Sequence, residues 1–348
     1  MGRSDVFLSL AFRTLTSKLV WISPLAARRM SYAVQRIDAV VSTQYGMDPS
    51  WFRRCRKRIF STCTVMFHSD LSCEWFAFLD SEPIRPFVAI NPALPLKQFK
   101  PYLRLGLDIG ERIRVIRDSL LFIAGHRDVL LFLANERKPL VATMDLGCVG
   151  VVSLFMEFNC QKEGELTLLL RLADGRIVAI AAFAFESNRE GSHVMRIARI
   201  QGVKDAEMQR RLEKAMFGLR PKSLMLFASQ EVAHAFGVKE ITGVRNNRQV
   251  YWRKRFITIP GLRMLSFDYD AFWTESGGTL DVDGWFRLPA RLEKRAPSEM
   301  KTNKRSMYKK RYAMLDEFSR QIQSALGCKT TTPLPMSTCL CLSPNPEK

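Results

Sequence analysis

Two aspartates spaced two residues apart are the clearest candidates for acid–base chemistry in this chain. On a strand, Asp268 and Asp270 would share one face, and a carboxylate pair can accept and return a proton. Aspartate is also favoured at helix starts, and the apolar residues Phe272 and Trp273 follow directly. We therefore expect this pair to begin a helix, with catalysis by the pair as the alternative.

Cysteine and histidine show no spacing that indicates a metal site or an activated nucleophile. The eight cysteines include no CxxC pair, which is typical of a protein in a reducing compartment. Cys63, His68 and Cys73 lie near one another, but their gaps match no common zinc-ligand pattern. No Ser-His-Asp or Cys-His order stands out. The sequence therefore predicts no metal, and these residues are interpreted as structural.

Basic side chains form the most distinctive pattern in the sequence. The 348 residues carry 53 Lys and Arg against 34 Asp and Glu, a formal net charge of +19. Three windows, 53–58, 245–255 and 291–311, carry 17 of these charges, so the charge is clustered. Clustered Lys and Arg suit phosphate-rich partners, because each contact with a phosphate releases a condensed counterion. The aromatic residues within or beside the windows are Trp51, Phe52, Tyr251, Trp252, Tyr308 and Tyr312.

These windows can be interpreted in three ways. A nucleic-acid surface would use the aromatic rings to stack on bases, whereas a membrane surface would place them at headgroup level. The third interpretation is a solvated basic face beside rings that belong to the core, which is common on helices. The sequence shows no known nucleic-acid fold signature.

Composition excludes several classes of protein. With 47% apolar and 25% charged residues, the chain is neither disordered nor collagen-like, nor is it a small disulfide scaffold. The longest uncharged apolar stretches, 146–156 and 177–185, are shorter than the roughly 18–20 residues that span a bilayer. The apolar run 6–12 follows Asp5 and ends at Arg13, which is a poor match to a secretory signal. We therefore expect a cytoplasmic protein.

Apolar periodicity predicts strands between residues 149 and 201, followed by helices. The strongest cue is Ala173-Asp174-Gly175 between two apolar runs, because Asp-Gly favours a tight hairpin turn. The whole pattern predicts a mixed α/β fold, with a central sheet that contains a hairpin and is covered by helices. The predicted strands are 165–172, 176–186, 193–201 and 238–244, and the predicted helices are 111–133 (broken near 125), 206–217, 224–236 and 306–326.

Changes in composition divide the chain into three parts. Residues 1–99 are interpreted as a helical or irregular N-terminal arm, because prolines repeatedly interrupt its second half. Residues 100–326 are predicted to form the α/β domain. Residues 327–348 are rich in Thr, Pro, Ser and Cys and are predicted to be disordered.

A series of short motifs in the second half resembles the VirK/YbjX family of Gram-negative bacteria. In order they are Gly218-Leu219-Arg220-Pro221-Lys222, Gly237-Val238, Gly243-Val244-Arg245-Asn246, Asp268-Tyr269-Asp270-Ala271-Phe272-Trp273, Gly277-Gly278 and the basic-aromatic segment 304–312. Lys100-Pro101-Tyr102-Leu103 and Glu111-Arg112-Ile113 are similar to the N-terminal segment of the family. The resemblance covers residues 100–326, and segment 304–312 is its most specific part.

The resemblance implies a role but no reaction. The family is associated with virulence and with tolerance of membrane damage, including damage by cationic antimicrobial peptides. Its biochemical activity is not established, so it implies no catalytic residues. The candidate anion-binding residues are Arg220, Lys222, Arg245, Asn246, Arg248, Lys304, Arg305, Tyr308, Lys309 and Arg311, and the other motif candidates are Asp268, Asp270 and Trp273.

Three hypotheses for function follow. The first is a protein that acts at the inner face of the envelope, where its basic patches meet an anionic membrane surface or envelope component. Such a protein would be cytoplasmic or peripheral to the inner membrane and would need no cofactor. The second is an N-acyltransferase-like enzyme that uses acyl-CoA to modify an envelope component. The third is an RNA-binding post-transcriptional regulator.

The acyltransferase hypothesis makes a structural prediction. The order of elements is similar to the acetyltransferase type of fold, in which a glycine-rich turn at a helix N-terminus binds the cofactor pyrophosphate. Here the turn is Gln201-Gly202-Val203-Lys204-Asp205, which has one glycine and an aspartate that would repel phosphate. If the hypothesis is right, a pair of parallel strands must separate near Gln201 and Gly202.

Overall fold

The computed structural model describes residues 24–45, 51–126, 128–129, 133, 139–188, 190–203, 205–251 and 267–327. The predicted disordered tail beyond Gly327 and the basic residues Arg253, Lys254 and Arg255 lie outside the described residues. The chain divides into two compact units. One contains the chain up to Pro101 with Asp108–Ile113, and the other contains Tyr102–Leu107 with the chain from Arg114 onward.

The first unit is helical, as predicted for the N-terminal part. Its elements include α1 (Pro24–Tyr45), α2 (Trp51–Phe67), α3 (Ser69–Asp80), α4 (Arg85–Ile90) and a short 3-10 helix at Leu94–Phe99. Ala33, Ile37 and Val41 recur every fourth residue on α1, and all three are buried. The indole of Trp75 is buried as well and donates a hydrogen bond to the Pro95 carbonyl oxygen at 3.1 Å.

The second unit contains a large mixed sheet. Its described strands are β1 (Leu140–Asp145), β2 (Val151–Gln161), β3 (Gly164–Leu172), β4 (Ile177–Ser187), β5 (His193–Gly202), β6 (Glu240–Val244), β7 (Thr279–Leu280) and β8 (Trp285–Leu288). They lie in the order β1-β2-β3-β4-β5-β6-β8-β7. Neighbours are antiparallel except β5 and β6, which are parallel. The predicted mixed α/β fold is confirmed.

The predicted hairpin is also confirmed. Strands β3 and β4 pair antiparallel on either side of Asp174-Gly175. Gly175 has a φ of +85°, which glycine adopts without the steric cost of a Cβ. The Asp174 carboxylate accepts a hydrogen bond from the Arg176 backbone N–H at 3.0 Å. Local chemistry therefore determines this turn.

Helices cover the sheet and fix its core. They include α5 (Ile109–Gly125), α6 (Ala206–Ala215), α7 (Pro221–Ala235), α8 (Tyr269–Glu275) and α9 (Arg305–Leu326). Helix α7 is buried along most of its length and packs on β4 and β5, while α9 packs on β1 and α7. Within the described ranges, no helix is both long and apolar enough to cross a bilayer.

Candidate active site

The pairing of the parallel strands β5 and β6 stops halfway along β5, because β6 ends at Val244. Their pairing runs from Val194 with Glu240 to Ile197 with Gly243. Strand β5 then continues to Gly202 alongside β4, with an extra residue, Ala198, at a bulge just beyond the last pair with β6. The structure therefore has an unpaired length of β5 near Gln201 and Gly202, whereas the acyltransferase hypothesis requires two parallel strands that diverge there. Ligands in sheets with parallel strands commonly bind beyond the carboxyl ends of those strands.

Polar side chains cover the edge of β5 that β6 leaves unpaired. The buried Gln249 side chain donates from Nε2 to the Ala198 carbonyl oxygen at 3.2 Å. The Arg199 guanidinium donates to Oε1 of Gln201 from Nε at 3.1 Å and from Nη2 at 2.8 Å. The buried Tyr269 hydroxyl lies beside the Ile200 backbone and the Gln201 side chain. The backbone edge is therefore lined by side chains instead of a strand.

A buried acid accompanies these residues. Glu163, in the turn between β2 and β3, is 1% exposed. Burial raises the pKa of Tyr269 well above its ordinary value, and burial likewise raises the pKa of Tyr251. The negative charge of Glu163 adds to both shifts, whereas the positive charge of Arg199 opposes them. Glu163, Arg199, Tyr251 and Tyr269 are therefore close enough to influence one another.

This arrangement combines a carboxylate with protonated phenols. A buried tyrosine with a raised pKa keeps its proton at neutral and moderately alkaline pH, so its hydroxyl can donate a hydrogen bond to a negatively charged group. A buried carboxylate beside it can accept a proton from a reacting group. Pairs of titratable groups whose surroundings differ in this way are typical of acid–base sites.

The predicted aspartate pair helps to position Tyr269. Asp268 begins α8 and accepts a hydrogen bond from the Ala271 backbone N–H at 3.0 Å, so the predicted helix start is confirmed. Asp268 also accepts from the Asn246 side chain at 2.7 Å, and the Asn246 side-chain oxygen accepts from the Tyr269 backbone N–H at 2.8 Å. Asp270 accepts from the Asn246 backbone N–H at 2.7 Å. Asn246 thus joins the end of β6 to α8.

Two further motif residues strengthen this connection. The Arg245 guanidinium lies 3.4 Å from the Asp270 carboxylate. The buried Trp273 indole donates to the Val244 carbonyl oxygen at 2.9 Å. Arg245 and Trp273 therefore hold α8 against the carboxyl end of β6, and their contacts are structural.

The remaining basic candidates of this region surround the start of α7. Arg220 forms an ion pair with Glu275 at 2.6 Å. The Lys222 ammonium lies 3.9 Å from the centre of the Phe267 ring, and burial, followed by the charge of Arg220, lowers the Lys222 pKa. The Lys222 side chain also passes beside Gly202 at the end of β5. Arg248 is exposed, and its backbone carbonyl accepts from the Leu105 N–H at 2.6 Å.

The turn after β5 does not offer a helix N-terminus to a phosphate. The Asp205 carboxylate accepts hydrogen bonds from the backbone N–H groups of Glu207 at 2.9 Å and Met208 at 3.2 Å. These are amides that a bound pyrophosphate would use, and Asp205 also carries negative charge. Among the candidate anion-binding residues that the structure describes, Lys222 lies next to this turn, because its side chain passes beside Gly202.

The candidates on α9 are placed differently. Arg311 donates from Nε at 3.0 Å and from Nη2 at 2.6 Å to the carbonyl oxygen of Phe217, in the turn between α6 and α7. Its guanidinium also lies 4.6 Å from the centre of the Tyr308 ring. Lys304, Arg305 and Lys309 are exposed. Arg311 thus supports the fold, while the other three cations form a solvent-facing surface.

Sequence reasoning missed the residues with the most suggestive environment. The sequence motifs do not single out Glu163, Arg199 or Gln249, and they include Tyr269 only as the residue between Asp268 and Asp270. The one sequence feature that could have indicated Glu163 and Arg199 is that each is a charged residue next to or within a long apolar strand segment. The described residues bring together no group of three or more His, Cys, Asp and Glu side chains suited to a metal.

Comparison with known proteins finds one matching family model and three related bacterial proteins. A family model described as "Protein of unknown function (DUF535)" matches residues 49–324. The uncharacterized protein YbjX of Escherichia coli (strain K12) is 28% identical over 280 residues, which cover 78% of this chain and 84% of YbjX. Two uncharacterized proteins of Haemophilus influenzae (strain ATCC 51907 / DSM 11121 / KW20 / Rd) are 36% and 29% identical over 175 and 164 residues.

The coverage of these relatives differs. The two Haemophilus matches cover 49% and 46% of this chain, and 52% and 53% of the relatives, so the chain spans about half the length of each. The family match, by contrast, includes most of the chain and every motif that carried the resemblance. The chain therefore belongs to the DUF535 family, which is the VirK/YbjX family.

Proposed function

We propose that this protein is an acyltransferase-type enzyme that transfers an acyl group from a thioester donor to an amine of an envelope component. The observation that supports this proposal is the length of β5 that β6 leaves unpaired beside the buried Glu163 and Tyr269. We propose an envelope component as the acceptor because the family is associated with tolerance of membrane damage.

The chemistry assigned to the chain is proton transfer. Glu163 takes a proton from the attacking amine and passes it to the departing thiolate, to which the Tyr269 hydroxyl donates a hydrogen bond. The C–N bond forms as the C–S bond breaks, so the two transfers balance. Gln249 and Arg199 fix the geometry of the β5 edge along which the reacting groups lie. The turn at Asp205 does not suit a pyrophosphate, so Lys222 is the candidate contact for the donor's phosphates.

Donor binding tests this proposal. Saturating acyl-CoA should stabilise the purified protein against thermal unfolding, by about 2.7 kcal/mol at 100 times Kd. Coenzyme A without an acyl group should stabilise it less. Lys222→Gln should weaken binding about tenfold, because a charge-assisted contact is lost. Lys239→Gln, which removes an exposed lysine just after α7, is the matched control and should bind normally.

An unchanged melting temperature at saturating acyl-CoA would contradict the proposal. If binding is found, comparing the envelope lipids of strains with and without the gene would identify the acceptor. An acylated species lost with the gene is the expected result. Identical lipid profiles would contradict an envelope lipid as the acceptor.

A second candidate function is docking on an anionic membrane surface, and it rests on the α9 surface of Lys304, Arg305 and Lys309. All three are exposed, and within the described part of the chain no ion pair to an acidic residue involves them. Each Lys or Arg near an anionic leaflet contributes about 1 kcal/mol of attraction. Such docking would hold the protein at the inner face of the envelope.

Neutralising this surface tests the second candidate. A variant with Lys304→Gln, Arg305→Gln and Lys309→Gln should bind vesicles rich in phosphatidylglycerol about 100-fold more weakly. The matched control, Arg210→Gln with Lys239→Gln and Arg287→Gln, removes equal charge from other exposed positions and should bind much better than that variant. Equal losses in the two variants would contradict a specific surface. A loss of RNA binding with vesicle binding intact would favour the RNA alternative.

A further inference from the structure

A cavity of about 890 Å³ lies between the end of β1, helix α6 and helix α9. Its volume falls within the range of about 300–1,000 Å³ that small-molecule sites occupy. It shares no residue with the candidate active site around Glu163 and Tyr269. Its apolar lining consists of Met144, Leu146, Ala215, Phe217, Met314 and Phe318.

The walls of this cavity are held in place by specific contacts. The Thr143 backbone N–H donates to the Gln321 side chain at 2.8 Å, which ties β1 to α9. Phe217 has a φ of +54°, an uncommon conformation for an aromatic residue. The two hydrogen bonds from Arg311 to the Phe217 carbonyl hold this turn. The cavity is therefore preformed, which lowers the entropic cost of filling it.

The acidic and basic residues of the cavity lining differ in whether the protein itself supplies their partners. Asp145 accepts a hydrogen bond from the Gly147 backbone N–H at 2.9 Å. Glu317 is paired with Arg320 and accepts from Gln321 at 2.8 Å. Arg211 and Lys214, both exposed on α6, have no acidic partner within the residues that the structure describes. Both carboxylates thus accept hydrogen bonds from the protein itself, whereas the two cations remain available to a ligand.

We propose that this cavity binds a long-chain fatty acid, with its alkyl chain against the apolar lining and its carboxylate at Arg211 and Lys214. An apolar floor with cations at its edge is complementary to a single-chain amphiphile with an anionic head. This assignment does not depend on the proposed acyl transfer, because the lining and the active-site residues are different side chains.

Calorimetric titration with fatty acids below their micelle concentration tests the ligand class. Dodecanoate should bind, and affinity should fall by about fourfold for each methylene removed, as expected when chain burial drives binding. Acetate, which has the head without the chain, should not bind. Dodecylamine, which has the chain with the opposite charge, should bind at least about tenfold more weakly than dodecanoate. If dodecylamine bound as tightly as dodecanoate, the proposal that the ligand has an anionic head group would be wrong.

Matched variants locate the site. Arg211→Gln with Lys214→Gln should weaken dodecanoate binding about tenfold or more, whereas Arg210→Gln, next to the site but outside its lining, should not. Ala215→Trp fills the cavity and should abolish binding. Ala313→Trp, at an exposed position of α9 outside the lining, is its control. Unchanged binding by well-folded Ala215→Trp would overturn the proposal.

Cys148 provides a test on the wild-type protein that does not depend on the folding of any variant. It is exposed, lines the cavity and is a free thiol. Dodecanoate should slow its alkylation, as measured by peptide mass spectrometry, by about fivefold or more at ten times Kd. Cys55 and Cys63, free thiols in the first unit, are internal references and should react at unchanged rates. Equal reactivity of Cys148 with and without ligand would overturn the proposed location.

Discussion

Glu163→Gln should slow acyl transfer to an amine acceptor by about 10²–10⁴-fold, the range that general-base catalysis typically contributes. The substitution keeps the size and hydrogen-bonding shape of the side chain but removes the group that accepts the proton. Because Glu163 is 1% exposed in the turn between β2 and β3, bulk water is poorly placed to replace it. The measurement is the single-turnover rate with a saturating donor, which separates chemistry from binding.

Two further variants are needed to interpret the rate of Glu163→Gln. Glu157→Gln on β2 removes a half-buried carboxylate that pairs with Arg171 at 2.7 Å, and it should leave the rate nearly unchanged. Tyr269→Phe should also slow the reaction, by about 10²-fold, because it removes the proposed hydrogen-bond donor to the departing thiolate. If Glu163→Gln remains folded and reacts at the wild-type rate, Glu163 is not the base.

The pKa of Tyr269 adds a pH prediction to the same assay. Burial raises this pKa, so the native phenol keeps its proton beyond the ordinary tyrosine range near 10. The step that uses the phenol should therefore show no loss from Tyr269 ionisation up to about pH 10. A decline in rate at that pH that disappears in Tyr269→Phe would show that the phenol ionises at its ordinary pKa.

Gly243→Ala should destabilise the protein by about 3 kcal/mol, at the upper end of the usual cost of overpacking a core. A Cβ at position 243 would lie 2.7 and 2.8 Å from two atoms of the Trp273 ring, closer than real contacts allow. The ring cannot move away easily, because Trp273 is fully buried and its indole donates to the Val244 carbonyl oxygen. Urea unfolding followed by circular dichroism measures the change.

Gly125→Ala is the matched control for this substitution. Gly125 ends α5, and a Cβ there would meet no atom within 4 Å. Alanine is preferred to glycine in helices, so this variant should be unchanged or more stable by up to about 1 kcal/mol. Equal stabilities of the two variants would contradict the close packing of Trp273 on β6. Because the same packing positions Tyr269, Gly243→Ala should also impair the active site at temperatures where it remains folded.

Several features of this protein follow from short-range chemistry and were predictable. The Asp174-Gly175 hairpin depends on a turn conformation that these two residues favour. The start of α8 depends on Asp268, whose carboxylate satisfies a backbone N–H three residues later. Helices α6, α7 and α9 follow from apolar residues at helical spacing. The family motifs and the clustered basic charge were likewise visible in the sequence.

Other features required contacts between distant parts of the chain. Strands β7 and β8 have only two and four residues, too few for a periodic signal, and were not predicted. The parallel pairing of β5 with β6 joins segments separated by two helices. Arg311 was predicted to bind an anion, but α9 brings it to the Phe217 carbonyl, where its hydrogen bonds support a turn.

The candidate active site shows the same division most clearly. The sequence by itself determined the strand that carries Arg199 and the helix start at Asp268, next to Tyr269. Only the tertiary structure decided that Arg199 and Tyr269 lie near Glu163, where β6 ends and β5 continues. The physical reason is that turn and helix signals act between residues a few positions apart, whereas sheet register depends on burying apolar faces across the whole domain.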